Sequence, residues 1–309
     1  MITTSKSAKI IPHIVLTILT LVCLLPLLLL LMASITDEQT LLLNGYSFFP
    51  EKFSADAYTY IFKTGKTVLR AYGITFFVTA VGTVCNVCMT VCLSYPLARP
   101  GLKGRNAIAF FVFFTMLFNG GLVPTYIMYS QFFHIRDTIF ALLVPSFLMS
   151  PFNVILMRNY FKTNIPDAII EAAKLDGASE LRTLVNVVLP MSTPIIGTIG
   201  LMSGLAYWND WTNGLYYLVK RTDLYSIQNV LTNMLNNIQF LKTATQLQGI
   251  NIEMGTLPSV SIRMAIAVVA VIPVMIVYPF IQKSFVKGLV IGGVKGGLKG
   301  DRTCLIGIK

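Results

Sequence analysis

The feature that most limits the fold of this 309-residue chain is a series of long apolar runs separated by polar segments. Each run approaches the roughly 20 residues that a helix needs to cross about 30 Å of hydrocarbon. Strands of a membrane barrel would be about half as long and would alternate in polarity. Since 55% of the residues are hydrophobic and only 12% are charged, the chain has too little polar surface to enclose a water-soluble core. We therefore predict an all-α integral membrane protein.

The apolar runs predict six transmembrane helices. These spans are residues 11–33, 71–98, 106–130, 138–160, 193–217 and 258–284. The predicted organisation is an N-terminal segment at 1–10, a six-span region at 11–284, outer loops at 34–70 and 218–257, an inner loop at 161–192 and a tail at 285–309. The apolar run at 14–32 is longer than a typical cleavable signal core and more spans follow, so we expect it to be retained.

The net charge of +11 is distributed unevenly over these segments. With the N-terminus inside, the inner segments carry 15 of the 24 basic residues and 5 of the 13 acidic ones. Cytoplasmic segments of membrane proteins are enriched in Lys and Arg. Both termini are therefore predicted to be cytoplasmic, and the positive charge does not indicate binding to nucleic acid.

Two patterns that could indicate a metal or a nucleotide are incomplete. Cys85, Cys88 and Cys92 share a helical face, but a thiolate metal site usually includes a histidine or a second cysteine pair, and both histidines are distant. Residues 65–67 resemble the end of a nucleotide-binding loop, but Tyr60 replaces its first glycine and no apolar strand precedes it. No metal and no cofactor are predicted for this chain.

The third span contains helix-weakening residues at Asn119-Gly120-Gly121 and at Pro124. Breaks of this kind persist in a bilayer only where protein or a water-filled cavity satisfies the backbone. The residues are typical either of a bend that lines a pathway or of close helix packing. Asn119 is therefore a candidate pathway residue.

The inner loop at 161–192 is the main polar interruption between the apolar runs. Pro166 and Asp167 favour the start of a helix, and Gly177 favours its end. Ser179 can cap a second helix that runs to Pro190. We expect two short amphipathic helices at an angle on the cytoplasmic face, a shape that suits docking into a groove of another protein.

An aromatic and polar cluster follows the fifth apolar run. Its members are Tyr207, Trp208, Asn209, Asp210 and Trp211. Aromatic rings beside amide and carboxylate groups match the apolar faces and hydroxyl edges of a sugar, and an ionisable residue within a span is a candidate functional residue. An interfacial aromatic belt is the alternative interpretation.

The inner loop carries a recognisable signature. It begins with Glu171-Ala172-Ala173, which is followed after three residues by Gly177. After nine more residues come an aliphatic residue, one further residue and Leu189-Pro190. This pattern resembles the "EAA" loop of ABC importer permeases. Further stretches resemble the carbohydrate branch, related to the second permease of the maltose system, and its complex-oligosaccharide subgroup. These stretches are 95–99, 120–125, 157–161, 207–211, 258–265, 278–280 and 292–296.

The resemblance implies a type I ABC importer permease fold and a set of partners. The implied partners are a second homologous permease, two ATPase subunits that bind ATP and Mg, an extracytoplasmic solute-binding protein and the lipid of a bacterial cell membrane. The chain itself would catalyse nothing. The loop residues implied to contact the ATPase are Glu171, Ala172, Ala173, Asp176, Gly177, Leu189 and Pro190. A tail contact with the ATPase is implied for Gly292, Gly293, Lys295 and Gly296.

The expected function is the transmembrane part of an ATP-driven carbohydrate importer, with an oligosaccharide as substrate and alternating access as mechanism. An ion-driven secondary transporter of a polar solute is the alternative, although such carriers normally show inverted repeats and ionisable residues at the membrane midplane. A membrane-embedded enzyme would need clustered carboxylates or histidines, and the predicted spans contain few.

Overall fold

The structure, a computed structural model, describes residues 6–63, 65–145, 147–236 and 260–293, with side chains at 12–61, 65–145, 147–236 and 260–276. The described chain is helical, with one isolated antiparallel bridge between Thr36 and Phe53. This confirms the all-α prediction.

The helices are numbered in chain order. They are α1 Lys6–Ser34, α2 Glu38–Asn44, α3 Asp56–Lys63, α4 Gly65–Ala98, α5 Arg105–Leu117, α6 Leu122–Ile127, α7 Phe140–Leu143, α8 Pro151–Asn164, α9 Asp167–Leu175, α10 Glu180–Thr183, α11 Leu189–Met191, α12 Thr193–Trp208, α13 Thr212–Tyr217 and α14 Val260–Gly293. Two π-helical turns, Met128–Phe132 and Leu184–Val188, extend α6 and α10, Thr222–Leu224 is a 3-10 turn, and residues 227–236 are helical.

The helices form two compact units. The first contains residues up to 72 and the described residues 227–236 and 260–276. Residues 73–226, together with 277–293, belong to the second. The candidate loop at 161–192 lies entirely within the second unit.

In the first unit, α1 is apolar, and its residues 12–28 are exposed, as expected for a helix covered by lipid. Near its C-terminal end the helix becomes buried, at Ala33 and Ser34. In the same unit, the buried carboxylate of Glu38 accepts hydrogen bonds from the backbone N–H groups of Val260 and Ser261 at 2.8 Å each. Glu38 thereby satisfies donors at the N-terminus of α14, where the helix dipole favours a negative charge.

The second unit contains a broken segment between α7 and α8, where a continuous helix over 138–160 was predicted. That part of the prediction is wrong, because Pro145 and Pro151 cannot supply the backbone N–H groups of a continuous helix. Three carbonyls of the segment accept hydrogen bonds from side chains instead. The Tyr207 side chain donates to the carbonyl of Leu143 at 2.8 Å, Asn213 donates to that of Pro145 at 3.1 Å, and Asn86 donates to that of Phe147 at 2.7 Å. Protein side chains thus satisfy the irregular backbone, as a membrane requires.

The predicted third span is also broken. The chain bends by 114° between the helical segments Arg105–Leu117 and Leu122–Phe132. Gly121 has a φ of 88° at the break, and its N–H donates to the side-chain oxygen of Asn119. No described atom lies within 4 Å of a Cβ placed on Gly121, so the structure favours a bend over close helix packing at this residue.

The last helix is longer than predicted. α14 continues to Gly293, beyond the predicted end of the sixth span at residue 284. The predicted tail at 285–309 therefore begins as part of this helix, and residues 294–309 lie outside the described residues. The predicted outer loop at 34–70 contains α2, α3 and the first six residues of α4. The predicted outer loop at 218–257 is described only as far as residue 236.

Candidate functional site

The first half of the inner loop is α9 and its C-terminal cap. Pro166 precedes the helix, and Asp167 lies in its first turn. After the helix, Gly177 adopts a φ of 79°, in the left-handed region that glycine enters without a Cβ penalty. The N–H of Ala178 donates to the carbonyl of Ala173 at 3.0 Å, and the N–H of Gly177 donates to the carbonyl of Lys174 at 3.0 Å. This pair of bonds is a Schellman motif, and it turns the chain sharply at Gly177.

The second half is a helix that starts at Ser179, as predicted. The Ser179 hydroxyl accepts from the N–H of Arg182 at 3.3 Å. The helix passes through a π-helical turn and ends after Pro190 in α11. A bend of 83° then separates Glu180–Met191 from α12. The loop is therefore a helical hairpin joined to the apolar helix α12.

One face of this hairpin is buried against the ends of α4, α8 and α12. The buried cluster contains Val91, Tyr95, Met157, Tyr160, Phe161, Ile165, Ile170, Leu184, Val188, Ile195 and Ile199. Side chains from both halves of the hairpin enter it, namely Ile170 from α9 and Leu184 and Val188 from the π-helical turn. Burial of this face packs the hairpin against α4, α8 and α12.

The other face of the hairpin is exposed and mixes acidic with large apolar groups. Glu171 is exposed, and no hydrogen bond or ion pair involves its side chain within the described part of the chain. Leu175 is 89% exposed and Leu181 is 71% exposed. Large apolar side chains grouped beside a charge are typical of a protein interaction surface.

The remaining loop residues implied by the resemblance differ in position and exposure. Ala172, Asp176, Gly177 and Pro190 are exposed, and Ala173 and Leu189 are half-buried. The structure thus brings the first part of the motif together around the turn at Gly177. Leu189 and Pro190 lie at the far end of the second helix, where the chain enters α12.

A hydrogen-bonded chain at the base of the hairpin was missed by the sequence analysis. The Arg99 guanidinium donates to the Tyr95 hydroxyl at 3.0 Å, and this hydroxyl donates to Glu180 at 2.8 Å. Lys174 pairs with the other carboxylate oxygen of Glu180 at 2.5 Å. The hydrogen bonds from Lys174 and Tyr95 hold the pKa of the Glu180 carboxyl below its usual value.

This chain of contacts ties the hairpin to the end of α4. The stretch 95–99 was singled out in the sequence, but Glu180 lies about 85 positions from Tyr95, and no periodic pattern links residues so far apart. Only the folded chain shows the contact.

The aromatic cluster at the C-terminal end of α12 is divided between core and surface. Tyr207, Trp208 and Asp210 are buried, whereas Asn209 and Trp211 are exposed. The Asp210 carboxylate accepts from the N–H groups of Thr212 and Asn213 at 3.1 and 3.2 Å, so it caps α13.

Tyr207 packs against a neighbouring helix as well as donating to a carbonyl. A Cβ added to Gly82 would lie 2.6 Å from Cε2 of the Tyr207 ring, so glycine at this position permits the ring to approach α4. Among the predicted pathway residues, Asn119, Asn209 and Trp211 are accessible in this chain.

The predicted tail contact falls partly outside the described residues. Gly292 and Gly293 form the end of α14. Lys295 and Gly296 lie outside the described residues.

Apolar helices, two bent helix pairs and a hairpin with an exposed face of apolar and charged side chains together indicate a helical membrane protein. The family described as "Binding-protein-dependent transport system inner membrane component" matches residues 87–291. The chain therefore belongs to this family, whose members are transport components of the membrane. The match includes the hairpin, the aromatic cluster and α14 as far as residue 291.

Similar proteins extend over nearly the whole chain. Protein LplC of Bacillus subtilis is 36% identical over 275 residues, covering 89% of this chain and 90% of LplC. The polygalacturonan/rhamnogalacturonan transport system permease protein YtcP of the same organism is 37% identical over 279 residues, covering 89% of this chain and 94% of YtcP. A crystal structure of a bacterial ABC transporter involved in import of the acidic polysaccharide alginate contains a chain with a TM-score of 0.77 and 28% identity. That match covers 92% of this chain and all of the other. The fold is thus that of an ABC transporter permease.

Proposed function

We propose that this chain is one permease subunit of an ATP-driven oligosaccharide importer in the bacterial cell membrane. Family membership supports the assignment to a binding-protein-dependent transport system. Similarity over most of the chain to a polysaccharide transport permease supports a carbohydrate substrate. The chain is the transport subunit, and ATP hydrolysis takes place in partner subunits that bind ATP and Mg.

The observation that carries the proposal is the hairpin at 161–192, which we name the coupling hairpin. It is buried on one face and exposes Leu175, Leu181 and Glu171 on the other. The exposed face fits a groove on an ATPase subunit, with Glu171 paired to a basic residue of that subunit. Burial of the two leucines would remove apolar surface from water, and the carboxylate would orient the contact.

The proposed mechanism follows from how the coupling hairpin is held. Closure of the two ATPases on ATP moves the hairpin. The buried cluster and the Arg99–Tyr95–Glu180 chain transmit this movement to α4, α8 and α12. The helices reorient together with those of a second, homologous permease, and the cavity opens alternately to each side. The Gly292–Gly296 stretch forms a further contact with the ATPase pair.

The proposed topology has six spans and cytoplasmic termini. The excess of Lys and Arg in the inner segments supports this orientation. In this topology α5 and α6 form one bent span, and α12 begins the fifth span after the 83° bend that ends the coupling hairpin. The domain boundaries are then those of the sequence prediction, with α14 extending into the tail.

The substrate is delivered by an extracytoplasmic solute-binding protein. Asn119, Asn209 and Trp211 are the accessible residues proposed to contact it, while Tyr207, Trp208 and Asp210 support the wall behind them. YtcP is named for transport of polygalacturonan and rhamnogalacturonan, and the similar solved structure is of a transporter involved in import of the acidic polysaccharide alginate. A calorimetric screen of the cognate binding protein against neutral and uronic-acid oligosaccharides would identify the class of sugar.

The decisive experiment uses the complete importer in proteoliposomes with its binding protein. Glu171→Gln removes the charge at constant size, and Glu171→Asp retains the charge on a shorter side chain. We expect Glu171→Gln to lower binding-protein-stimulated ATPase activity and uptake about tenfold, consistent with loss of a charged hydrogen bond of about 1.5 kcal/mol. Glu171→Asp should retain part of the activity.

Membrane insertion is measured in parallel by the yield of purified complex, which should not change because Glu171 is exposed. Normal ATP-dependent uptake by the Glu171→Gln variant would show that this residue has no role in coupling. Uptake driven by an ion gradient, with no ATPase subunit present, would overturn the proposed function as a whole.

A further inference from the structure

A cavity of about 270 Å³ lies beside the base of the coupling hairpin, in the second unit. It is open on one side and lined by the end of α4, the turn into α5, the end of α8, α9 and Val188 of the π-helical turn. Its charged lining consists of Arg99, Arg105, Lys162 and Asp167. The volume is slightly below the roughly 300–1,000 Å³ of typical small-molecule pockets, so the cavity is large enough for a phosphate-sized group but too small for an oligosaccharide.

The cations of this cavity are incompletely paired within the described part of the chain. Asp167 is 3.9 Å from the Arg99 guanidinium, and its side chain is 76% exposed, so this ion pair is weak. The Nε atom of Arg99 is buried and has no hydrogen-bond partner there. Such an atom normally has a partner, because an unsatisfied buried donor costs about 1–3 kcal/mol.

The other two cations increase the excess of positive charge. Arg105 donates to the backbone carbonyl of Arg99, a neutral acceptor that leaves its charge uncompensated. No ion pair involves Lys162 among the described side chains. Loss of some of its solvation, and then the charges of Arg158 and Arg105, lower the pKa of the Lys162 ammonium from its ordinary value. These groups repel one another, and an anion placed between them would relieve the repulsion.

We propose that this cavity is a binding site for a phosphate group. Guanidinium and ammonium donors match the oxygens of phosphate, and Arg99 can offer its buried Nε to one of them. The cavity adjoins the end of α4, an apolar helix long enough to cross a membrane. The phosphate can therefore be carried by an anionic phospholipid, since basic pockets beside transmembrane helices bind such head groups, or it can be free in solution. Occupancy joins the end of α4 to the base of the coupling hairpin.

This proposal goes beyond the proposed transport function, because binding requires neither an ATPase nor a sugar. The test uses the purified full-length chain in nanodiscs that contain phosphatidylcholine with a small fraction of phosphatidylglycerol. Native mass spectrometry then counts the phosphatidylglycerol molecules retained. In a second arm, inorganic phosphate is titrated in a zwitterionic detergent, with chloride at equal ionic strength as reference, and thermal unfolding is followed.

Lys162→Gln is the test variant, because Lys162 is exposed and its side chain makes no hydrogen bond among the described residues. Arg105→Gln is the second. The matched control is Lys103→Gln, which removes a positive charge from the same α4–α5 turn outside the cavity lining. Loss of one charged contact should weaken binding about tenfold.

Retention of phosphatidylglycerol by the wild type and Lys103→Gln, but not by Lys162→Gln and Arg105→Gln, supports the site with lipid as its source. A saturable shift with inorganic phosphate that depends on the same residues supports the site with free phosphate as its source. If neither probe binds, or if Lys103→Gln weakens binding as much as Lys162→Gln, the proposal is overturned. Either result leaves the ATPase assay on Glu171 unaffected.

Discussion

The turn at Gly177 allows a quantitative test of how the coupling hairpin works. With φ at 79°, Gly177 is in the left-handed region, where a residue with a Cβ is less stable by roughly 1–2 kcal/mol. A Cβ placed there meets no described atom within 4 Å, so steric contact with neighbours adds nothing. The whole effect of a substitution therefore comes from the backbone.

Because the effect comes from the backbone, we expect the transport activities of Gly177 variants to follow a defined order. Gly177→Asn should retain most activity, because asparagine enters the left-handed region more readily than other side chains. Gly177→Ala should lose more, since 1–2 kcal/mol changes a conformational equilibrium by about 5-fold to 30-fold. Gly177→Val should lose most, because β-branched residues are genuine outliers at positive φ.

The assay is binding-protein-stimulated ATPase activity and sugar uptake by the reconstituted complete importer. Gly101→Ala is the matched control, because Gly101 is a turn glycine with equally open surroundings and without a positive φ. It should behave as the wild type. Equal uptake by the Gly177→Val variant and the wild type would refute the reasoning, and so would a loss with Gly177→Asn as large as that with Gly177→Val.

Three further outcomes are expected from the same structure. Gly82→Ala should lower the midpoint of thermal unfolding by an amount equivalent to about 1–3 kcal/mol, because the added Cβ overlaps the Tyr207 ring; an unchanged midpoint would mean that the helices separate freely. Glu38→Gln should cost about 1–3 kcal/mol by weakening the bonds to α14, whereas Glu51→Gln, at an exposed site, should be nearly neutral in the same measurement. Because the pKa of Glu180 is lowered in the folded state, this carboxyl stabilises the fold at pH values above its ordinary pKa of 4.5. That stabilisation is lost as the pH falls through the lowered pKa. Since the side chain is 57% exposed, this contribution should be below about 1 kcal/mol, and Glu180→Gln should abolish that part of the pH dependence of unfolding.

The helical class, the family and the coupling hairpin could be predicted from local signals. Gly177 marks a left-handed cap, and Ser179 marks the start of the next helix, because each acts on backbone groups a few residues away. The structure has both features where they were predicted. Patterns of this range are the ones that a sequence displays directly.

The breaks in the helices were harder to place. Asn119 and the adjacent glycines indicated a weak point, and the structure shows a bend of 114° there. The segment between α7 and α8 was predicted as helix, although it contains Pro145 and lies before Pro151. Its irregular backbone is stable because Asn86 and Asn213 donate to it from other helices.

The sequence by itself thus determined that the chain is helical and membrane-embedded, and which short loop carries the signature of a permease. It could do so because hydropathy, caps and motif spacing depend on neighbouring residues. Tertiary structure decided which face of the coupling hairpin is exposed, that Glu180 is bound to Tyr95, and that Asp210 caps a helix. These contacts join residues far apart in the chain or depend on where a helix ends, so they exist only after the helices have packed.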